Sequence, residues 1–366
     1  MSWGSAESAQ EKLLSALLMP VAAGFGIGLF ARLMAYNWNF LKRKEFSVPV
    51  VSIGNITVGG TGKTPVTIDI AQRLIEQGHK VGILSRGYKR LSKEPIVVVS
   101  DGAGDIRECG VSGDEPYLIA KAVPQAVVIV GAKRVQTAEI AIKKYGCDIL
   151  LLDDGFQHWP IARNTDVVLI DYNDEPGKDR LLPAGRLREP LGALARASWV
   201  VITKVPESPD LDRLLRIRST VSRYAPAAQL TSCRMAPHAV RCIGSSDSVL
   251  LPGALNGMRV VAFSGIARPE VFAAQLTELG ADVAASLSFG DHHWYTHQDI
   301  DHIKQEFART NAQLIITTEK DAVKLLPRMI RDLPVGALQQ RVEWLGPIPA
   351  QPKEINARSE ETLVTS

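Results

Sequence analysis

Short apolar runs alternate with stretches of helical periodicity over most of this chain. Each run has the length of a buried strand and is bounded by glycine, proline or charged residues. The predicted strands are Val50–Ile53, Lys80–Leu84, Ile96–Val99, Ala126–Val130, Ile149–Asp153, Asp166–Asp171, Trp199–Thr203, Arg259–Ser264, Val283–Phe289 and Leu314–Thr318. The predicted helices are Pro65–Gln77, Glu115–Ala122, Lys133–Tyr145, a segment that begins at Pro269, and a segment near Gln298–Thr310. Nearly continuous apolar strands separated by helices indicate an α/β fold with a mostly parallel sheet covered on both faces.

The N-terminal pattern differs, because Leu13–Ala31 is a run of 19 residues without a charge. About 20 apolar residues span a bilayer, so the length is marginal, and Pro20 weakens the run as a straight helix. Aromatic and basic residues of the kind found at the cytoplasmic interface follow it: Arg32, Trp38, Phe40, Lys42, Arg43 and Lys44. A spanning anchor, a helix in the interface and a buried core helix stay open. We favour membrane attachment, with the chain after Lys44 in the cytoplasm.

A glycine-rich loop lies between the first predicted strand and the first predicted helix. It reads Thr57, Val58, Gly59, Gly60, Thr61, Gly62, Lys63, Thr64. Glycines let backbone N–H groups close around phosphate oxygens, and the following helix adds its positive dipole end. Lys63 would reach the outer phosphates, and the Thr64 hydroxyl would bind Mg²⁺. The sequence therefore predicts a P-loop NTPase-like fold, although Thr57 replaces the usual first glycine.

The regular alternation fades from about Asp210 to Gly257 and then resumes. Pro237 and His238 interrupt the apolar pattern there, so we predict a junction between two α/β units. The predicted divisions are 1–44, a membrane-associated segment; 45–225, the domain with the phosphate loop; 226–258, the junction; 259–350, a smaller Rossmann-like domain; and 351–366, a polar tail.

Charge and cysteine content narrow the function. The net charge is +3, from 42 basic and 39 acidic residues, and no concentrated basic stripe indicates a nucleic-acid partner. The four cysteines form no CxxC pair, so we expect reduced, mostly buried thiols and no structural zinc.

Carboxylates follow several predicted strands. Asp153 and Asp154 end an apolar strand downstream of the phosphate loop, which is the arrangement that holds Mg²⁺ in these folds. His158 comes shortly after them. Asp114, before Glu115, could cap a helix or accept a proton from an attacking hydroxyl. Gly155–His158 lies at the carboxyl end of the strand that ends at Asp153, where open α/β sheets bind ligands.

Three further stretches could carry chemistry or only structure. In Asp291-His292-His293 a histidine could orient an aspartate base, whereas neighbouring histidines on an extended segment rarely share one metal. Thr317–Asp321 could face a cleft or cap a helix. Pro183–Pro190 contains arginines that suit an anionic substrate group or a solvated loop.

Together these motifs resemble the tetraacyldisaccharide 4'-kinase family of Gram-negative bacteria. The resemblance rests on GNITVGGTGKTP from Gly54, SRGY from Ser85, GDEP from Gly113, LLDDGFQH from Leu151, PAGRLREP from Pro183, FSGIARPE from Phe263, DHH at Asp291 and TTEKDAVKL from Thr317. It implies an enzyme on the cytoplasmic face of the inner membrane. The enzyme would transfer the ATP γ-phosphoryl group to the 4'-hydroxyl of an acylated glucosamine disaccharide 1-phosphate lipid.

The resemblance also implies roles for individual residues. Lys63 matches the phosphate-binding lysine, Thr64 and Asp153 match Mg²⁺ ligands, and Asp154 a second acidic residue of the site. Asp114 matches the proposed base, and His292 the histidine proposed to pair with it when a cleft between the units closes. The residues that match substrate-side positions are Glu115, His158, Arg188 and Glu189.

A P-loop GTPase or ATPase used as a switch or metallochaperone is the main alternative, and a membrane-bound nucleotide-binding subunit without catalysis of its own is a third option. A GTPase should carry an Asn-Lys-x-Asp motif that reads the base. The nearest stretch is Thr203-Lys204-Val205-Pro206, which lacks the aspartate and weakens this alternative.

Overall fold

The computed structural model describes residues 9–177, 179–243 and 248–349; the predicted tail 351–366 lies outside the described residues. The helices are α1 (Ala9–Asn37), α2 (Lys63–Glu76), α3 (Cys109–Ser112), α4 (Asp114–Ala122), α5 (Arg134–Lys143), α6 (Leu211–Tyr224), α7 (Pro269–Glu278), α8 (His297–Thr310), α9 (Glu319–Ala322) and α10 (Pro327–Ile330). Short 3-10 helices cover Leu191–Arg196 and Pro252–Leu255. The strands are β1 (Val50–Asn55), β2 (Val81–Ser85), β3 (Ile96–Asp101), β4 (Val127–Gly131), β5 (Ile149–Asp153), β6 (Thr165–Asp171), β7 (Trp199–Thr203), β8 (Gln229–Cys242), β9 (Val249–Leu250), β10 (Arg259–Ser264), β11 (Asp282–Ser288), β12 (Leu314–Thr318) and β13 (Val335–Trp344).

The thirteen strands of the described residues form one sheet in the order β11-β10-β12-β13-β8-β7-β6-β1-β5-β2-β4-β3, with β9 paired to β8. Three pairs are antiparallel, namely β3 with β4, β8 with β13 and β8 with β9. The other pairs are parallel, which confirms the mostly parallel α/β sheet. Strand β8 joins a larger half of the sheet, β7 to β3 in this order, to a smaller half, β11 to β13. The phosphate loop follows β1, which lies within the larger half beside β5.

The ten predicted strands are all present, with bounds that differ by at most two residues. The zone predicted to be irregular is not, because it contains α6 and the 14-residue strand β8. The first residues of β8 pair with β7 and the rest pair with β13. Pro237 interrupts the strand pattern in the sequence, so this strand was not predicted. In the structure Pro237 lies at a register shift of the β8–β13 ladder, where a missing N–H is tolerated. The sheet thus runs unbroken from one half to the other, and the proposed domain limits stay a prediction.

Helix α2 shows why the elements form where they do. Its buried residues recur with helical spacing: Val66, Thr67, Ile70, Ala71 and Leu74. This apolar face packs on the same side of the sheet as Ile53 and Leu151. The helix ends where Gly78, with φ of 91°, turns the chain toward β2.

Helix α1 stands apart from these cores. It is continuous through Pro20, and Leu14–Asn37 has a mean hydropathy of 1.9, with 6% of its most apolar window buried in the protein. Among the described residues it is the one helix long and apolar enough to cross a membrane. Leu17 and Ile27 are 68% and 70% exposed. This exposure is contrary to a core helix and consistent with membrane association.

We expect Leu151→Ala to lower the free energy of unfolding by about 2–5 kcal/mol, because Leu151 is fully buried between β1 and β2 and its removal leaves a cavity. Urea denaturation in detergent measures the change. The control Leu215→Ala truncates a leucine of α6 that is 62% exposed and should change stability by less than about 0.5 kcal/mol. Equal effects of the two substitutions would contradict the assigned core.

Candidate active site

Two glycines with positive φ give the loop between β1 and α2 its shape. Gly59 has a φ of 114° and Gly62 a φ of 83°, which glycine adopts without strain. Gly62 is the N-cap of α2, and no side chain caps this helix start. The first N–H groups of α2 are therefore left without a side-chain acceptor, which is the arrangement that binds an anion.

The loop is held from both sides. Thr57 forms a β-bridge with Leu187. The Val58 N–H donates to the Arg186 carbonyl oxygen at 2.8 Å. On the opposite side, Thr203 Oγ1 donates to the Thr61 carbonyl oxygen at 2.8 Å. These contacts attach the loop to the segment around Arg186 on one side and to the end of β7 on the other.

Lys204 follows β7 and also holds the loop. Its ammonium donates to the Gly60 carbonyl oxygen and to Asp171 Oδ2, the latter at 2.7 Å. The residue that came closest to a base-reading lysine in the sequence is thus occupied with the backbone of the phosphate loop.

Asp154 and Lys63 form the charged centre of the site. Lys63 Nζ lies 3.7 Å from Asp154 Oδ1 and donates to Asn55 Oδ1 at 3.3 Å. Arg188 Nη1 contacts both carboxylate oxygens of Asp154, at 2.9 and 2.8 Å. Burial raises the pKa of Asp154, but the charges of Lys63 and Arg188 outweigh it and lower the pKa below its ordinary value. Asp154 is therefore ionised at neutral pH.

Asp153 lies deeper, at the end of β5. Its carboxylate accepts hydrogen bonds from Ser85 Oγ at 3.1 Å and from Thr67 Oγ1 at 3.4 Å. Burial, with the negative charges of Glu115 and Asp154, raises its pKa to about 6. A buried carboxylate of this kind is a strong acceptor for a cation.

Asp114 and His292 come from opposite halves of the sheet and are already in contact. His292 Nδ1 lies 2.7 Å from Asp114 Oδ2, so the pair predicted to assemble on cleft closure is formed in this structure. His293 points elsewhere, to Asp299 at 3.0 Å, as expected for neighbouring side chains. Gly113, with φ of 91°, is the N-cap of α4, so Asp114 is the first residue of the helix rather than its cap.

Comparison with known proteins decides the family. A family model described as "Tetraacyldisaccharide-1-P 4'-kinase" matches residues 14–356. A tetraacyldisaccharide 4'-kinase of Anaeromyxobacter sp. (strain Fw109-5) is 39% identical over 330 residues, covering 90% of this chain and 88% of the relative. This chain belongs to the tetraacyldisaccharide 4'-kinase family. A relative in Geobacter metallireducens is 37% identical over 330 residues, covering 88% of this kinase and 91% of the relative.

A solved structure agrees. The crystal structure of the "apo" form of LpxK from Aquifex aeolicus in complex with ATP is similar to this kinase, with a TM-score of 0.70 and 29% identity. The match covers 96% of the kinase and 100% of that chain. The predicted P-loop fold is confirmed, and the kinase is an ATP-dependent phosphotransferase of lipid A biosynthesis.

The kinase residues fit ATP with Mg²⁺. Asp153 offers a buried carboxylate, and Thr64, the second residue of α2, offers a hydroxyl; both are oxygen ligands that Mg²⁺ prefers. A Cβ added to Gly59 or Gly60 would meet no atom within 4 Å, so space for phosphate adjoins the loop. The uncapped start of α2 supplies the backbone donors.

The substrate-side residues of the sequence prediction divide into two groups. His158 is half-buried, and burial together with the charge of Arg134 lowers its pKa to about 3, so it is neutral. Its buried Nε2 has no hydrogen-bond partner among the described residues. Glu189 instead is buried and accepts from Arg196 Nη1 at 2.9 Å, so its carboxylate has a structural partner.

Two further charged residues of the site, Arg134 and Lys320, were not predicted from the sequence. Arg134 is buried, and its Nη1 donates to the Asp154 carbonyl oxygen at 3.0 Å. Lys320 Nζ lies 3.3 Å from Glu115 Oε1. Both follow the carboxyl ends of strands, β4 and β12, and this position was the available signal.

We expect Asp153→Asn to change how stability depends on pH. The folded-state pKa of Asp153, about 6, lies above the value of roughly 3.9 for an unfolded chain, so the folded state binds the extra proton between these values. The stability that this proton supplies is lost as pH rises through 6. Without Mg²⁺ or nucleotide, wild-type stability relative to Asp153→Asn should fall by about 1 kcal/mol from pH 5 to pH 7.5.

Urea denaturation at the two pH values measures this difference. Asp301→Asn, an exposed carboxylate of α8, is the control and should follow the wild type. A constant gap between wild type and Asp153→Asn would contradict the buried, proton-binding carboxyl.

Proposed function

We propose that this kinase transfers the γ-phosphoryl group of ATP to the 4'-hydroxyl of tetraacyldisaccharide 1-phosphate, with Asp114 as the base. The contact of 2.7 Å between Asp114 and His292 carries this proposal. Glu115, the next residue, is close enough to Asp153 to raise the pKa of that carboxyl, which supports one site for base and metal.

Asp114 suits the reaction because it is ionised. Burial raises its pKa, but the hydrogen bond from His292 and the charge of Lys320 lower it below its ordinary value. Phosphoryl transfer passes through a loose transition state in which little covalent chemistry is left to the protein. Asp114 therefore orients the acceptor hydroxyl and takes its proton as the new P–O bond forms.

Lys63, Thr64 and Asp153 hold the phosphate side. Lys63 exchanges its contacts with Asp154 and Asn55 for outer phosphate oxygens, and the backbone N–H groups of Gly59–Thr64 surround the inner ones. Thr64 and Asp153 would hold Mg²⁺, which would supply positive charge to the phosphate oxygens. Asp154 keeps its contact with Arg188.

Arg188, Glu115 and His158 lie on the acceptor side. The Arg188 side chain is 27% exposed, so its guanidinium can also donate hydrogen bonds to an anionic group of the substrate. His158 is neutral and half-buried, and it is assigned to this side by the family motif that contains it. Glu189 supports this side by fixing Arg196, which stacks on Phe156 at 4.3 Å.

We infer that α1 attaches the kinase to the cytoplasmic face of the inner membrane. Its apolar residues are exposed on most sides, and the basic residues Lys42, Arg43 and Lys44 follow it. A lipid with four acyl chains stays in the bilayer, while ATP is in the cytosol. A kinase that joins the two must work at that surface.

We expect Asp114→Asn to lower kcat for lipid phosphorylation by about 10²–10⁴-fold, because the base is lost. The KM for ATP should change little, since the phosphate loop is untouched. Thin-layer separation of radiolabelled lipid from purified kinase, Mg-ATP and acylated disaccharide 1-phosphate measures the rate. Asp105→Asn, an exposed carboxylate, should match the wild type. Normal turnover by Asp114→Asn would remove Asp114 as the base.

We expect the double substitution of Leu17→Glu and Ile27→Glu to release the kinase from membranes, because two charges then oppose insertion of α1. Both residues are more than 60% exposed, so the fold should persist. Fractionation of cell lysates measures membrane binding. Leu215→Glu places the same charge on an exposed leucine of α6 and should leave the kinase membrane-bound. Unchanged fractionation of the double variant would show that another surface is the anchor.

A further inference from the structure

Lys320 contacts residues from both halves of the protein, His292 and Glu115. It lies in α9, directly after β12. Its ammonium is 3.1 Å from His292 Nε2, 3.3 Å from Glu115 Oε1 and 3.5 Å from Asp291 Oδ1. Burial lowers the pKa of Lys320, but the charges of Glu115, Asp114 and Asp291 raise it above its ordinary value, so the ammonium keeps its proton.

The hydrogen-bonding capacity of these groups leaves one protonation state for the imidazole. An ammonium donates hydrogen bonds and accepts none. Nε2 of His292 must therefore accept from Lys320, because an N–H at Nε2 would face the ammonium protons at 3.1 Å. The single ring proton then lies on Nδ1, which is 2.7 Å from Asp114 Oδ2. His292 is neutral and donates to an ionised Asp114.

Other contacts fix the position of the ring. His292 has a φ of 63°, in the left-handed region, and its N–H donates to the Gly265 carbonyl oxygen at 3.2 Å. The Gly265 N–H in turn donates to the buried Asp321 carboxylate at 3.0 Å. The Tyr88 ring packs edge-on against the imidazole, with 5.5 Å between centroids. None of these contacts involves a ring nitrogen of His292. The contact of Lys320 with Nε2 therefore determines which ring nitrogen carries the proton.

We propose that Lys320 is a positioning residue for phosphoryl transfer. Its ammonium holds His292 in the neutral tautomer protonated at Nδ1, and this N–H holds the Asp114 carboxylate toward the acceptor hydroxyl. Without the ammonium, Nε2 can take the proton and donate toward Asp291 Oδ2, which is 3.8 Å away. Nδ1 would then present a lone pair to Asp114 and repel it. The inference rests on the proposed role of Asp114 as base.

Nitrogen-15 NMR of histidine-labelled kinase reads the tautomer directly. His292→Gln identifies the His292 resonances among those of the seven histidines. We expect a protonated Nδ1 and an unprotonated Nε2 in the wild type at pH 7.5. A wild-type ring protonated at Nε2, or at both nitrogens, overturns the proposal, and this result needs no Lys320 variant that folds.

Two substitutions then test the effect on turnover. Lys320→Met removes the charge and keeps the length of the side chain, so the ring should populate the Nε2–H tautomer. We expect kcat to fall roughly ten- to hundredfold, with the KM for ATP unchanged within about twofold. Lys320→Arg keeps a cation that only donates, and should keep the tautomer and most of kcat.

Lys304→Met, an exposed lysine of α8, is the matched control and should behave as the wild type. An unchanged His292 spectrum in Lys320→Met, or an equal loss of kcat in the Met and Arg variants, overturns the positioning role. Normal turnover by Asp114→Asn overturns both this inference and the proposed base. Loss of turnover in Asp114→Asn, combined with full kcat in Lys320→Met, overturns this inference alone.

Discussion

The site depends on placing several negative charges close together inside the protein and matching each with a positive partner. An unpaired buried carboxylate would be protonated or would destabilise the fold. Asp154 is matched by Lys63 and Arg188, and Asp114 by the charge of Lys320 together with the hydrogen bond from His292. The negative charge of Asp153 is the least balanced by positive neighbours, and the pKa of this carboxyl is raised for that reason. The site is therefore built to gain from an added cation at Asp153.

The same pairing joins the two halves of the molecule. Asp114 belongs to α4 in the larger half, and its partner His292 follows β11 in the smaller one. Another polar contact between the halves is made by Arg268, whose Nη2 donates to Asp174 Oδ1 at 2.7 Å. Strand β8 also joins the halves, because it pairs with β7 at one end and with β13 at the other. The base is thus made complete by residues that are distant in sequence and held by a shared sheet.

The sequence predicted best what depends on local order. Continuous apolar runs identified β1 and β5, and the spacing of glycines before Lys63 identified the loop between strand and helix. Strand β8 was missed because Pro237 breaks its pattern and its side chains are only partly buried, so the signal lies in its pairing with distant β13. For the same reason, the contact of Lys320 with His292 could not be predicted from either segment alone.

Helix α1 exposes an apolar surface and is also linked to the site. Ser15 Oγ donates to the Ala184 carbonyl oxygen at 2.6 Å, and Gly26 packs near Leu181 in the same loop. That loop continues to Arg188, which holds Asp154. Because this loop rests on α1 and continues to Arg188, the position of the helix and the position of the guanidinium at Asp154 are coupled. A substitution in α1 that moves the loop should therefore reach the charged centre without touching any residue of it.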